Sequence, residues 1–168
     1  MWQVLLVALL LALSGCAGVT QATPKLVFHS FSFNGWDYAD KWADTVDLLE
    51  YSYGDQYRMV RRKALGPDDS LSPQAGVSGP MPVGDFLYVK WRIKATAEVV
   101  EDRVDLRPLL PRDMTEHELI FVIDGRQLYV YLVTPTPKHM GDPPILKTYL
   151  SLFNVTYEIY PINTYTKH

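Results

Sequence analysis

The segment from 112 to 118, RDMTEHE, gathers the residue types that most often carry out proton or metal chemistry. It holds Asp113, Glu116, His117 and Glu118. A carboxylate beside an imidazole can orient the ring for general acid–base catalysis, and both groups bind metal ions. The alternative is a solvated loop whose acids cap the chain just before a strand. We favour the loop, and so predict neither a catalytic residue nor a metal site in this segment.

The other histidines, His29, His139 and His168, lie far from this segment in sequence. The chain contains no H-E-x-x-H, no G-x-S-x-G and no P-loop pattern. The glycines of SGPMPVGD (78–85) lack the lysine and the helix that a phosphate-binding loop uses. We therefore expect a protein that is not an enzyme and has no cofactor.

The only cysteine, Cys16, follows an almost wholly apolar N-terminal run from Trp2 to Leu13. A run of about a dozen residues is too short to cross a bilayer core as a helix, but it suits the apolar part of a signal peptide. The residues Leu13-Ser14-Gly15-Cys16 resemble the lipobox of bacterial lipoproteins. That resemblance implies a diacylglyceryl group on the Cys16 thiol, cleavage before Cys16 and acylation, typically by palmitate, of the new N-terminus.

Several acyl chains on one residue hold a protein firmly to a membrane. Ala17, rather than aspartate, follows the cysteine. By resemblance to enterobacterial sorting rules, this favours the outer membrane, with the protein facing the periplasm. We therefore divide the chain into a signal peptide (1–15), a lipidated tether of small and polar residues (16–25) and a single β-rich domain (26–168).

Composition limits the partners and the fold class of that domain. The formal net charge of −3 does not suit nucleic-acid binding, which requires a basic face. Tyrosine (11) and proline (12) are abundant, which favours strands and turns over helices.

Alternation of apolar and polar residues predicts strands at 25–33, 46–55, 86–95 and 98–110, and two more at 145–153 and 154–162. Two apolar runs in 118–135 flank Asp124-Gly125, a favoured tight-turn pair, and predict a hairpin. The sequence thus predicts a mainly β fold of about eight strands with little helix, arranged as an antiparallel β-sandwich or a strongly bent sheet.

Two segments do not follow this alternation. We expect residues 34–45 to form a long loop or one turn of helix. Residues 56–85 are rich in glycine, proline, serine and charge. We expect a short basic helix at their start and a long loop after it, and a loop of that length tends to be functional or disordered.

The same two segments supply the candidate partner-binding residues. The aromatic side chains of 34–45 suit a protein interface, because tryptophan and tyrosine dominate binding hot spots, although they could instead cap the core. The basic cluster of 57–63 could pair with lipid phosphates or an acidic partner, or could be a solvated face. The candidates are Trp36, Tyr38, Trp42, Tyr57, Arg58, Arg61 and Arg62.

Residues 48–54 (LLEYSYG) and 79–135 (GPMPVGDFLYVKWRIKATAEVVEDRVDLRPLLPRDMTEHELIFVIDGRQLYVYLVTP) resemble a group of small lipoproteins of Gram-negative bacteria. Lipoproteins of this size resemble the immunity proteins of type VI secretion systems, some of which act against phospholipase effectors. The resemblance implies a lipid-anchored binding protein whose partner is a secreted toxin. The alternative is a structural or assembly lipoprotein of the cell envelope.

Overall fold

The computed structural model describes residues 23–33, 42–55, 60–72, 76–139 and 153–167. These residues form two β-sheets, of five and four strands, in a sandwich-like arrangement. The predicted mainly β fold with little helix is confirmed. Helical structure in the described residues is limited to the single turn α1 (Trp42–Thr45) and an isolated 3₁₀ position at Val60.

The strands follow in chain order, with α1 between the first and the second. They are β1 (Val27–Phe33), β2 (Val46–Tyr53), β3 (Arg61–Lys63), β4 (Gly76–Met81), β5 (Phe86–Ile93), β6 (Val99–Asp105), β7 (Glu118–Asp124), β8 (Gln127–Pro137) and β9 (Asn154–Tyr160).

The five-stranded sheet has the order β4-β1-β7-β8-β9. Its β7–β8 hairpin was predicted, but the turn is centred on Gly125-Arg126, because Asp124 pairs with Gln127. Gly125 has a φ of 56°, a left-handed conformation that glycine adopts without steric cost. One pairing departs from the antiparallel prediction, because β1 runs parallel to β7. β1 ends at Phe33 and β7 begins only at Glu118, so no short hairpin constrains the relative direction of the two strands.

The four-stranded sheet has the order β3-β2-β5-β6, and all its pairings are antiparallel. The strands predicted at 86–95 and 98–110 correspond to β5 and β6, which pair as a hairpin. A register shift between Leu48 and Glu50 interrupts the β2–β5 pairing.

Two predictions for 56–85 were wrong, because this segment contains the strands β3 and β4. The basic residues Arg61–Lys63 form an edge strand rather than a helix. β4 lacked a strand pattern because Gly76 must be small: a Cβ there would lie 2.8 Å from the carbonyl oxygen of Phe31. Pro80 is accommodated because β4 is an edge strand, where a missing N–H group costs no ladder hydrogen bond.

Aromatic side chains from both sheets form the centre of the core. The ring centroid of Phe121 in β7 lies 5.7 Å from that of Phe31 and 5.1 Å from that of Phe33. It lies 6.5 Å from the ring centroid of Tyr53 in the opposite sheet. Tyr51 of the opposite sheet lies 5.1 Å from Phe33. All five rings are no more than 1% exposed, so this cluster joins the two sheets. The strand predicted at 145–153 lies almost wholly outside the described residues.

Candidate protein-binding surface

The outer face of the four-stranded sheet is polar, and its register arranges the side chains in rows across the strands. In one row, Lys63 of β3, Glu50 of β2, Lys90 of β5 and Glu101 of β6 alternate in charge. Lys63 lies 3.8 Å from Glu50, and Lys90 lies 3.8 Å from Glu101. The charges of this row are therefore balanced within the sheet.

A second group on this face is also balanced. Arg92 donates from Nε and Nη2 to Oδ2 of Asp47, at 3.2 Å and 2.9 Å. Lys94 lies 3.6 Å from the other oxygen of the same carboxylate. Two cations thus share one partly buried acid, and the guanidinium of Arg92 is further held by the carbonyl of Pro67.

The neighbouring row, which we call the arginine row, has no such balance. Register places Arg61 beside Ser52, Ser52 beside Tyr88, and Tyr88 beside Arg103. Three strand spacings separate the two arginines, about 14 Å between backbones. Within the described residues, neither guanidinium forms an ion pair with a carboxylate. The row is therefore a strip of uncompensated positive charge on a chain that is negative overall.

Tyr88, in the middle of the arginine row, is held in place by the balanced row beside it. Its hydroxyl donates to Oε2 of Glu101 at 2.9 Å. Partial burial and the hydrogen bond to this carboxylate raise the pKa of Tyr88 to about 12. The hydroxyl therefore stays protonated, and the ring offers a fixed aromatic surface between Arg61 and Arg103.

Arg62 extends the positive charge around the sheet edge. It is exposed and pairs in register with Tyr51, whose ring is buried in the core. Burial raises the pKa of Tyr51, and the positive charge of Arg62 partly offsets that rise. Since successive side chains of a strand alternate, Arg61 and Arg62 present charge on both sides of β3.

The structure brings together two of the predicted partner-binding residues, Arg61 and Arg62, on one edge strand. Trp36, Tyr38, Tyr57, Arg58 and the lipidation residue Cys16 lie outside the described residues. Trp42 begins α1, but its side chain is also outside them.

Sequence reasoning missed Ser52, Tyr88 and Arg103. The pairing of Tyr88 with Arg103 follows from the local sequence of β5 and β6, because the short connection of a hairpin fixes the register of its two strands. No local sequence pattern predicts that Ser52 pairs with Arg61.

The acid–imidazole segment at 112–118 forms a turn whose polar groups bond locally. Asp113 accepts hydrogen bonds from the backbone N–H and the hydroxyl of Thr115, which lower the pKa of Asp113. His117 donates from Nδ1 to the carbonyl of Thr115 at 2.9 Å. Glu118 accepts instead from the hydroxyl of Ser32 at 3.3 Å, and burial raises its pKa. This geometry matches the loop interpretation rather than a carboxylate that orients an imidazole.

His29 is buried and joins the two sheets. Its Nδ1–H donates to the carbonyl of Val27 at 2.8 Å, and its Nε2 accepts from the hydroxyl of Tyr53 at 3.0 Å. The backbone N–H of Gly84 donates in turn to that hydroxyl. Burial lowers the pKa of His29, so the ring is neutral and its nitrogens are fully used in holding the fold.

Comparisons of the chain with protein-family models, curated proteins and solved structures returned no match. In the described ranges, no helix has the length and apolar character to cross a bilayer. In the same ranges, no three histidine, cysteine or acidic side chains are grouped as metal ligands.

Proposed function

We propose that this chain is a lipid-anchored binding protein of the periplasm, and that it neutralises an antibacterial effector by binding an acidic face of it. The observation that carries the proposal is the arginine row together with Arg62. The other lysines and arginines on this sheet face are balanced by acids, whereas Arg61, Arg103 and the adjoining Arg62 have no carboxylate partner among the residues that the structure describes. Uncompensated guanidinium groups around a fixed aromatic ring suit recognition of carboxylates on a partner.

The lipobox-like residues Leu13–Cys16 support the proposed location. An anchor on Cys16 and a short tether would hold the domain close to the inner side of the outer membrane. A toxin that enters the periplasm, such as a type VI secretion lipase, would meet the protein there before reaching its target.

The proposed mechanism is occlusion of the effector's active site or membrane-docking face. A sandwich joined by a buried aromatic cluster loses little conformational freedom when it binds, which favours a tight complex. Positive charge on the binding face would also accelerate encounter with an acidic partner and make association salt-dependent.

Capture of the partner tests the proposal directly. The tagged full-length chain is expressed in its own bacterium, crosslinked and purified, and the bound proteins are identified by mass spectrometry. The proposal expects one dominant effector, whose toxicity in the periplasm is suppressed when the chain is co-expressed. Recovery of only envelope or cell-wall proteins, with no protection against the encoded toxins, would contradict it and favour the structural or assembly role.

Charge reversal at the edge strand should abolish protection. In Arg61→Glu/Arg62→Glu, two attractive charges become repulsive, and we expect affinity for the effector to fall at least about 100-fold, equivalent to about 2.7 kcal/mol. Calorimetry or surface plasmon resonance with the captured effector measures this loss. The binding of the unaltered chain should also weaken as salt concentration rises.

The matched control is Arg126→Glu, in the β7–β8 turn. Arg126 is exposed and ion-paired with Glu98. Exposed ion pairs contribute little to stability, so Arg126→Glu should cost little in folding. It changes the net charge by as much as either single substitution of the double variant. The control should bind the effector normally. Equal affinities for the double variant and the control would remove Arg61 and Arg62 from the interface and contradict the proposed contact with an acidic face.

A further inference from the structure

Two adjoining cavities lie where β5 begins and β6 ends. One, of about 270 Å³, is on the outer side of the four-stranded sheet, and the other, of about 290 Å³, extends toward the loop after β6. Asp85 and Arg107 line both cavities. Each volume suits a small ligand rather than a drug-sized one.

The walls of these cavities are held by backbone contacts. The carbonyl of Asp85 accepts from the N–H of Leu106 at 2.9 Å, and the carbonyl of Phe86 accepts from the N–H of Gly54 at 2.8 Å. A Cβ at Gly84 would lie 2.7 Å from the ring of Tyr53, so the chain before Asp85 is packed directly against the core. The carboxylate of Asp85 is thus presented from a rigid segment.

Asp85 is a partly buried carboxylate that forms no hydrogen bond or ion pair with the described residues. Its Oδ1 is shielded from solvent and has no donor within hydrogen-bond distance. The positive charge of Arg107 is near enough to interact with it, but the guanidinium of Arg107 is committed to Asp105, with bonds of 2.9 Å and 2.7 Å. A shielded carboxylate oxygen without a donor is costly to maintain, and such groups are common at binding sites. Because Oδ1 itself is shielded, a ligand in the cavities would meet this partly exposed carboxylate at its other oxygen.

Three further cations border the cavities, and none of them has a carboxylate partner among the described residues. The guanidinium of Arg103 lies over the ring of Phe86, 3.5 Å from its centroid. Lys167 donates from Nζ to the carbonyl of Arg107, and Arg112 is exposed. Among the described residues, the site therefore combines one carboxylate that has no bonded partner with several cations that lack an anion.

We infer that this pair of cavities binds a small zwitterion, with its ammonium group at Asp85 and its anionic group at Arg103, Arg112 and Lys167. The anionic group is a phosphate or a carboxylate, since guanidinium groups recognise both. Phosphoethanolamine, free or as a lipid headgroup, and short amino acids share this chemistry. Arg103 belongs to both the arginine row and this site, but the inference does not depend on the proposed effector, because its test uses neither an effector nor the β3 arginines.

The test is calorimetric titration of the full-length chain with four probes: O-phosphoethanolamine, β-alanine, inorganic phosphate and ethanolamine. At least one zwitterion should bind about tenfold or more tightly than phosphate and ethanolamine, because only a zwitterion satisfies both halves of the site. Preference for O-phosphoethanolamine would identify a phosphate zwitterion, and preference for β-alanine a carboxylate one. Vesicles containing phosphatidylethanolamine, compared with vesicles of phosphatidylglycerol, then distinguish a headgroup from a soluble ligand.

Two variants separate the halves of the site. Asp85→Asn should remove the tenfold advantage of the zwitterion over phosphate while leaving phosphate binding intact, and it should not lower the thermal midpoint, because a shielded charge is removed. Arg112→Gln should weaken the zwitterion and phosphate alike. Phosphate binding as tight as either zwitterion, no binding of any probe at about 10 mM, or an unchanged preference in Asp85→Asn would each overturn the inference.

Discussion

Truncation of Phe121 to alanine should destabilise the fold by about 3–5 kcal/mol. Phe121 is 0% exposed and contacts aromatic rings of both sheets, at 5.7 Å from Phe31 and 6.5 Å from Tyr53. Its removal deletes a large buried apolar surface and leaves a cavity that rings fixed on opposite strands cannot fill. Since domains of this size are commonly stable by only about 5–15 kcal/mol, much of the stability would be lost.

Urea unfolding followed by tryptophan fluorescence measures this change. The control is Phe28→Ala on the neighbouring strand β1, where the ring is 57% exposed and its loss should cost less than about 1 kcal/mol. A cost for Phe121→Ala no larger than that for Phe28→Ala would mean that the aromatic cluster does not hold the sheets together.

Acidification should destabilise the protein through His29. The ring is 1% exposed, and both nitrogens are engaged, with Val27 and Tyr53. Protonation would place a charge in the core and remove the acceptor that the Tyr53 hydroxyl needs. Burial, and to a smaller extent the neighbouring charge of His117, hold the pKa of His29 below its usual value of 6.5.

The direction of the effect follows from proton binding. Below about pH 6.5, the unfolded chain takes up a proton at His29 before the folded chain does. Stability is therefore fully present above that pH and is lost as the pH falls toward the pKa of the folded state, by at most about 1.4 kcal/mol per pH unit. Glu118 acts in the opposite direction, because its pKa is raised in the folded state and its protonation favours folding at lower pH.

His29→Gln isolates the contribution of the imidazole, because glutamine can donate and accept hydrogen bonds but does not titrate. Unfolding free energies of both proteins are measured between pH 7.5 and 5. The original chain should lose stability more steeply than the variant, while the contribution of Glu118 is common to both. Parallel profiles would show that protonation of His29 is not coupled to unfolding.

The strands whose signal is local were predictable from sequence. Alternation in 86–95 and in the two arms around Gly125 identifies β5, β7 and β8, because side-chain period and turn residues act over a few positions. β3 and β4 were missed for the same reason. Arg61–Lys63 has no apolar alternation, and Gly76 and Pro80 weaken the strand signal, so tertiary pairing with β2 and β1 decides their conformation.

The cationic cluster of 57–63 was identified from sequence as a candidate interface, and the charges of Arg61 and Arg62 are a property of the sequence alone. Only the tertiary structure decided that Arg61 shares a row with Arg103, and that Asp85 lies between two cavities without a donor. These relations join strands and loops that are distant in sequence. Their register is set by burial of the common aromatic core, a non-local free energy that no local pattern of residues contains.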